Sequence, residues 1–132
     1  MDGTETQRTE KKMTHNFRRM KIWEDARKLV SSIYTLTQKI PASERYGLIS
    51  QIQRAAISIP ANIAEGSGRS GNKEFGRFLD IAIGSALELE TLIILAGDLG
   101  FISEEETTTC TKNINDLDKM ILSFKQQLQQ ND

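Results

Sequence analysis

Ser58, Asn62 and Glu65 are the side chains of this chain best spaced to act together. They stand four and three positions apart, which places all three along one edge of a helix. Pro60 sits among them, and inside a helix a proline removes one i→i−4 hydrogen bond and crowds the carbonyl four residues back, at a cost of about 3 kcal/mol or more. A polar trio beside such a break has two readings. It satisfies the backbone that Pro60 frees or reaches the next helix, or else it holds a ligand. The first needs no further partner and is the ordinary one. Directly after it, Gly66–Gly71 reads GSGRSG, which has the glycine spacing of a dinucleotide-binding turn. That turn works between a strand and a helix, with an acid further on for the ribose. Here the preceding segment is helical and no strand follows, so the stretch reads as a helix–helix connection. A P-loop is excluded as well, because Asn72 separates Gly71 from Lys73 and no Ser or Thr follows the lysine. A smaller role remains open, in which Arg69, Lys73 and the first amides of the next helix hold an isolated phosphate or carboxylate.

Other catalytic sets are missing. The one histidine, His15, lies in a polar stretch near the start, so neither a Ser–His nor a Cys–His arrangement is expected. Cys110 falls on an apolar stripe, where a small buried thiol is the plain explanation, and a single cysteine forms no internal disulfide. Di-iron bundles use Glu-x-x-His pairs on facing helices, which this chain does not contain. Glu88 and Glu90 are two apart and point in different directions on a helix. No enzyme, metal, cofactor or small-molecule substrate is expected.

Charge gives the one positive lead. The net charge is −1, yet residues 1–77 carry 14 Lys and Arg against 8 Asp and Glu, while residues 78–132 carry 3 against 10. Either oppositely charged helices or subunits meet, or one surface is basic enough for a polyanion. Arg18, Arg19, Lys21, Arg27, Lys28, Arg54, Arg69 and Arg77 are the candidate contacts for RNA or DNA.

The elements that must position these groups are helices. Residues 1–20 are polar and without period, and are expected to form a disordered or frayed tail, leaving 21–132 as one domain. A first helix is predicted over 21–40, on Trp23, Ala26, Val30, Ile33, Thr37 and Ile40 with Ile22, Leu29 and Leu36 beside them, stopped by Pro41. Ser43 is the expected N-cap of a second, with Leu48, Ile52, Ala55, Ile59 and Ile63 inward, a kink near Pro60 and Gly66 as C-terminal cap. A third starts near Asn72 and ends near Gly97 or Gly100. Its apolar residues exceed one stripe, since Ile81, Leu87, Ile94 and Leu95 lie off the main face, and that surplus points to another subunit. Ser103 with Glu106 forms a capping box ahead of a fourth helix on Cys110, Ile114, Leu117, Ile121, Phe124 and Leu128. The fold class is all-α, an antiparallel up-down-up-down four-helix bundle. No apolar run follows Met1 and none is long enough to span a bilayer, so the expectation is a cytoplasmic protein without a membrane segment.

Trp23-x-x-Ala26, Pro41-x-x-Glu44-x-x-Gly47-Leu48, Gln51-x-x-Arg54-Ala55, Ser58-Ile-Pro60-Ala-Asn62-Ile-Ala-Glu65-Gly66 and Phe78-Leu-x-Ile-Ala-x-Gly84-Ser85-x-x-Glu88-Leu-Glu90-Thr91 together resemble the proteins encoded in intervening sequences of bacterial 23S rRNA genes, the S23 family. The likeness runs from Trp23 to about Ile102. It implies a four-helix bundle assembled as a homopentamer, and no known activity. The function expected is an assembly or scaffold role, with RNA or DNA binding as the alternative. The related accessory proteins of diversity-generating retroelements share the bundle and work with a reverse transcriptase and RNA through a basic surface. This chain departs from them in being slightly acidic overall.

Overall fold

The computed structural model describes residues 16–131, so residues 1–15 of the expected tail, His15 included, lie outside the described residues. The remainder of that stretch is built into the domain. Asn16 accepts a hydrogen bond from the Arg18 amide (3.1 Å) and caps a 3-10 turn, Phe17–Arg19, whose Phe17 ring meets Trp23 edge-on at 5.1 Å.

Four helices follow, α1 (Lys21–Thr37), α2 (Ser50–Ser67), α3 (Asn72–Asp98) and α4 (Glu104–Gln130). Among the described residues there is no strand. α1 packs on α2, α2 on α3 and α3 on α4, while α4 returns to α1. Contacts between the helices fix their sense. Gln53 near the start of α2 donates to Thr37 at the end of α1 (3.2 Å), and Ser58 meets Ser85 across α2 and α3. Lys125 pairs with Asp80 (2.6 Å), Asn115 with Glu90, and Asn72 with the Leu128 carbonyl (3.2 Å), so α3 and α4 run in opposite directions.

The core is what the stripes require. Ile33, Ile52, Ile59, Ile63, Phe75, Leu79, Leu89, Ile93, Ile114 and Ile121 are fully enclosed. Each large apolar side chain taken from water stabilises by roughly 1.5–3 kcal/mol. Trp23, Val30, Leu36 and Phe124 lie half-buried at its margin. The capping box forms as predicted, with Ser103 Oγ accepting from the Glu106 amide (3.0 Å) and the Ser103 amide donating to Glu106 (2.9 Å). α3 ends in a Schellman turn. Gly100 takes φ +79°, its amide reaches the Gly97 carbonyl, and the Phe101 amide reaches Ala96.

The largest departure from the pattern lies between α1 and α2. α1 stops at Thr37 rather than at Ile40, and Ser43 caps nothing. It lies instead in a 3-10 turn, Ala42–Glu44, which leads through a wide turn at Arg45–Ile49 into α2. Gly47 has φ −114° and ψ −106° there, outside the helical region. The apolar spacing of Leu48 and Ile52 continues across this break, so periodicity alone extends the helix too far back. Further on, α2 runs through Pro60 without ending and passes Gly66 to Ser67, so the C-terminal cap is Gly68 and Gly66 is internal.

Candidate functional site

Of the polar trio around Pro60, Ser58 and Asn62 face α3. Asn62 donates its amide to the Ser58 carbonyl (2.8 Å) and to Ser58 Oγ (2.9 Å), and the Ser58 and Ser85 hydroxyls share a hydrogen bond of 2.8 Å. The group thus reaches the next helix. It does not extend to the Ala56 carbonyl, the one that has no i+4 donor because of Pro60. Glu65 is exposed and pairs with Arg69 (2.8 Å). Gly66 is buried because α3 leaves no room, since a Cβ there would stand 2.7 Å from Phe78 Cβ and 2.9 Å from Phe75 Cδ1. These residues form a compact, hydrogen-bonded seam between α2 and α3.

The basic candidates divide by position. Arg18, Arg19, Lys21, Arg27 and Lys28 belong to the first turn and the first half of α1, and Arg69 and Arg77 flank the α2–α3 connection. Because neighbouring helices alternate in sense, those two sets share one end of the bundle. Arg54 stands apart, near the start of α2 and roughly 20 Å along the axis from Arg69. Acids neutralise several members. Lys21 pairs with Asp25 (3.3 Å), Lys28 with Glu24 (3.6 Å), Arg69 with Glu65 and Arg77 with Glu74 (3.1 Å). Arg18, Arg19, Arg27 and Arg54 have no ion pair among the described residues. Two of these four are held by rings, as the Arg18 guanidinium lies 4.7 Å from the Phe17 centroid and that of Arg27 lies 5.5 Å from Trp23. Arg69 stacks likewise on Phe78, at 4.7 Å, while it pairs with Glu65.

At the opposite end the acids gather. Asp98, Glu104, Glu105 and Glu106 surround the α3–α4 connection, with Lys39 bound to Glu106. The hydrogen bond from Lys39 and those from Ser103 hold the Glu106 carboxyl below its ordinary range. The Cys110 thiol is pushed up to about 11 by burial, so little of it is thiolate at neutral pH. Asp118 has a raised carboxyl from burial and from the charge of Glu90, and its Oδ1 has no hydrogen-bond partner. Among the described residues no three His, Cys, Asp or Glu groups converge to hold a metal. The groove between α1 and α4, about 370 Å³, is open and lined by Asp25, Lys28, Ser32, Asn113, Asp116 and Met120 over Leu29 and Leu117.

Three contributors carry no site signal of their own in the sequence. Ser85 is the cross-helix partner of Ser58, Phe78 supports Arg69, and Phe17 carries Arg18. Phe78 and Ser85 stand at motif positions, but the motif does not say what they touch. For Phe17 the available signal is an aromatic directly before two arginines.

Residues 18–123 match the family model described as 23S rRNA-intervening sequence protein. No curated protein matches the chain. A solved structure with the same fold is the crystal structure of a protein of unknown function from the S23 ribosomal protein family of Bacteroides thetaiotaomicron VPI-5482. It has a TM-score of 0.73 at 22% identity, covering 79% of this chain and 97% of that one.

Proposed function

This chain belongs to the family of 23S rRNA-intervening sequence proteins, and from that premise we propose that it works by self-assembly, as a non-enzymatic bundle whose copies close into a ring. The observation that carries this reading is the outer face of α3. Ile81, Leu87, Ile94 and Leu95 are each 44–51% exposed, on a helix whose other side already fills the core. Gly84 lies among them, and a Cβ added there would meet nothing within 4 Å. A glycine inside a helix is unfavourable by roughly 0.5–1 kcal/mol against alanine. No contact among the described residues uses the missing side chain, whereas a second helix packed over it would. Lys73 and Arg77 at the start of α3 and Asp98 at its end give that face opposite charges at its two extremities, which favours another copy as the occupant. The family resemblance implies five copies. Native mass spectrometry and light scattering test the reading. A closed oligomer at micromolar concentration is expected, and a monomer would refute it.

A second reading is favoured by the cations gathered at one end of the bundle, which suit a nucleic-acid backbone. Its mark is affinity for RNA or DNA that falls steeply with salt, because each phosphate contact releases counterions.

A further inference from the structure

The arginines at the basic end that have no ion pair among the described residues are not evenly spread. Asn16 pins the turn that carries Phe17, Arg18 and Arg19, through the Arg18 amide and through its own carbonyl, which accepts from the Arg19 amide at 3.0 Å. That turn rests against both α1 and α2. Phe17 and Trp23 meet at an interplanar angle of 67°, and each supports one guanidinium, Arg18 on Phe17 and Arg27 on Trp23. The result is a short ladder, Arg18–Phe17–Trp23–Arg27, with Arg19 beside it. The two lysines nearby are different, because Lys21 and Lys28 are each met by a carboxylate on the same helix face. Both rings are half-buried, so part of each stays open next to the guanidinium it carries.

We propose that this ladder is a contact site for single-stranded nucleic acid, with Arg18, Arg19 and Arg27 on successive phosphates and Trp23 beside a base. The proposal deepens the second reading above and rests on it. Three cations without acid partners among the described residues suit phosphates, and ring-held guanidiniums offer flat surfaces on which an unstacked base can lie. A duplex keeps its bases stacked inward and presents only phosphates, so it would leave Phe17 and Trp23 unused. The salt-bridged lysines contribute little, since their charge is already compensated nearby.

Trp23 is the single tryptophan, so its fluorescence reports on this site alone. The full chain is titrated with a labelled 20-nucleotide oligothymidylate, following both anisotropy and Trp23 emission, over a salt series. Binding with a change in Trp23 emission is expected. Arg18→Ala with Arg27→Ala should weaken it about tenfold or more and flatten the log–log salt slope by roughly 1.4, near 0.7 for each phosphate no longer neutralised. Arg45→Ala with Lys112→Ala removes the same charge at the far end and should leave affinity close to wild type. Far-UV circular dichroism confirms that both variants stay helical. Equal affinity of the ladder variant, or unchanged Trp23 emission on binding, would overturn the site while leaving the nucleic-acid reading in place. No anisotropy change even at low salt would overturn both. Tighter binding of a hairpin duplex, or the same emission change with polyglutamate, would overturn the choice of a single strand.

Discussion

Alanine at Gly84 and alanine at Gly66 are the same chemical change in two helix interiors, and the structure gives them opposite signs. At Gly84 the new methyl enters open space, so the monomer keeps the whole gain in helix propensity, about 0.8–1 kcal/mol. For a domain of this size that corresponds to a rise of roughly 4 °C in melting temperature. At Gly66 the same gain is opposed by Phe78 Cβ at 2.7 Å and Phe75 Cδ1 at 2.9 Å. Phe78 Cβ is fixed to the α3 backbone and cannot swing aside, so the two helices must separate. Overpacking of this kind costs about 1–3 kcal/mol, leaving Gly66→Ala destabilised by up to about 2 kcal/mol. Assembly adds a second axis. If another copy's helix lies over Gly84, the methyl that steadies the monomer also holds that helix away. Gly84→Ala should then melt higher in dilute solution, where monomers prevail, yet dissociate at a higher protein concentration than wild type. Thermal melts and light scattering across a dilution series separate the two effects. Higher melting with unchanged assembly at every concentration would refute the close approach, and lower melting in the dilute limit would refute the open-space geometry.

Leu87→Asp, on the same face, should shift the assembly toward monomer while leaving the helical signal intact, because Leu87 is 51% exposed and contributes little to the core; sedimentation velocity reads this. Ser103→Ala should cost about 1 kcal/mol by removing the α4 cap, seen as a lower denaturant midpoint. Glu106 is held below its ordinary range first by Lys39 and then by Ser103, so its contribution is present above about pH 4.5 and is lost as pH falls through the lowered folded value. Glu106→Gln should therefore flatten stability against pH on that acid limb, in urea titrations from pH 6 to 3. Asp118 has the opposite sign, since burial and then Glu90 raise its carboxyl. Its charge opposes folding at pH 7, and Asp118→Asn should raise stability there, with the gain fading as acid protonates the wild-type group. Cys110, with its thiol pushed up to about 11 by burial, should react with a disulfide reagent far more slowly in the native protein than in denaturant.

How much of the fold and of the site is legible in the residues follows from the range of the interactions involved. α4 is legible to the residue because its start depends on Ser103 and Glu106, three apart, and its inner face on a stripe that nothing interrupts. The end of α3 is legible within a few residues, since Gly97 and Gly100 both stand there, and only the turn geometry decides that Gly100 takes the positive φ. The start of α2 is hidden because apolar spacing is blind to backbone conformation. Leu48 and Ile49 lie against the core from the wide turn as they would from a helix, and Gly47 reverses nothing in the pattern. Gly66 misleads for a related reason. A glycine near a helix end suggests a cap, yet here its value is the absence of a side chain beside two phenylalanines that follow it in sequence but belong to the next helix. Long-range pairing explains the rest. Ser58 and Asn62 are visible as a pair four apart, while the partner that explains them, Ser85, lies 27 residues on. The basic set shows the same limit. Residue type marks eight cations as equals, but only the folded positions of Glu24, Asp25, Glu65 and Glu74 distinguish compensated charges from open ones. Those four acids stand at helical spacing from their partners in the sequence itself. Counting i,i+3 and i,i+4 acids against each cation leaves Arg18, Arg19 and Arg54 but also removes Arg27, which has Glu24 three positions before it and yet no ion pair among the described residues, because Glu24 turns to Lys28 instead.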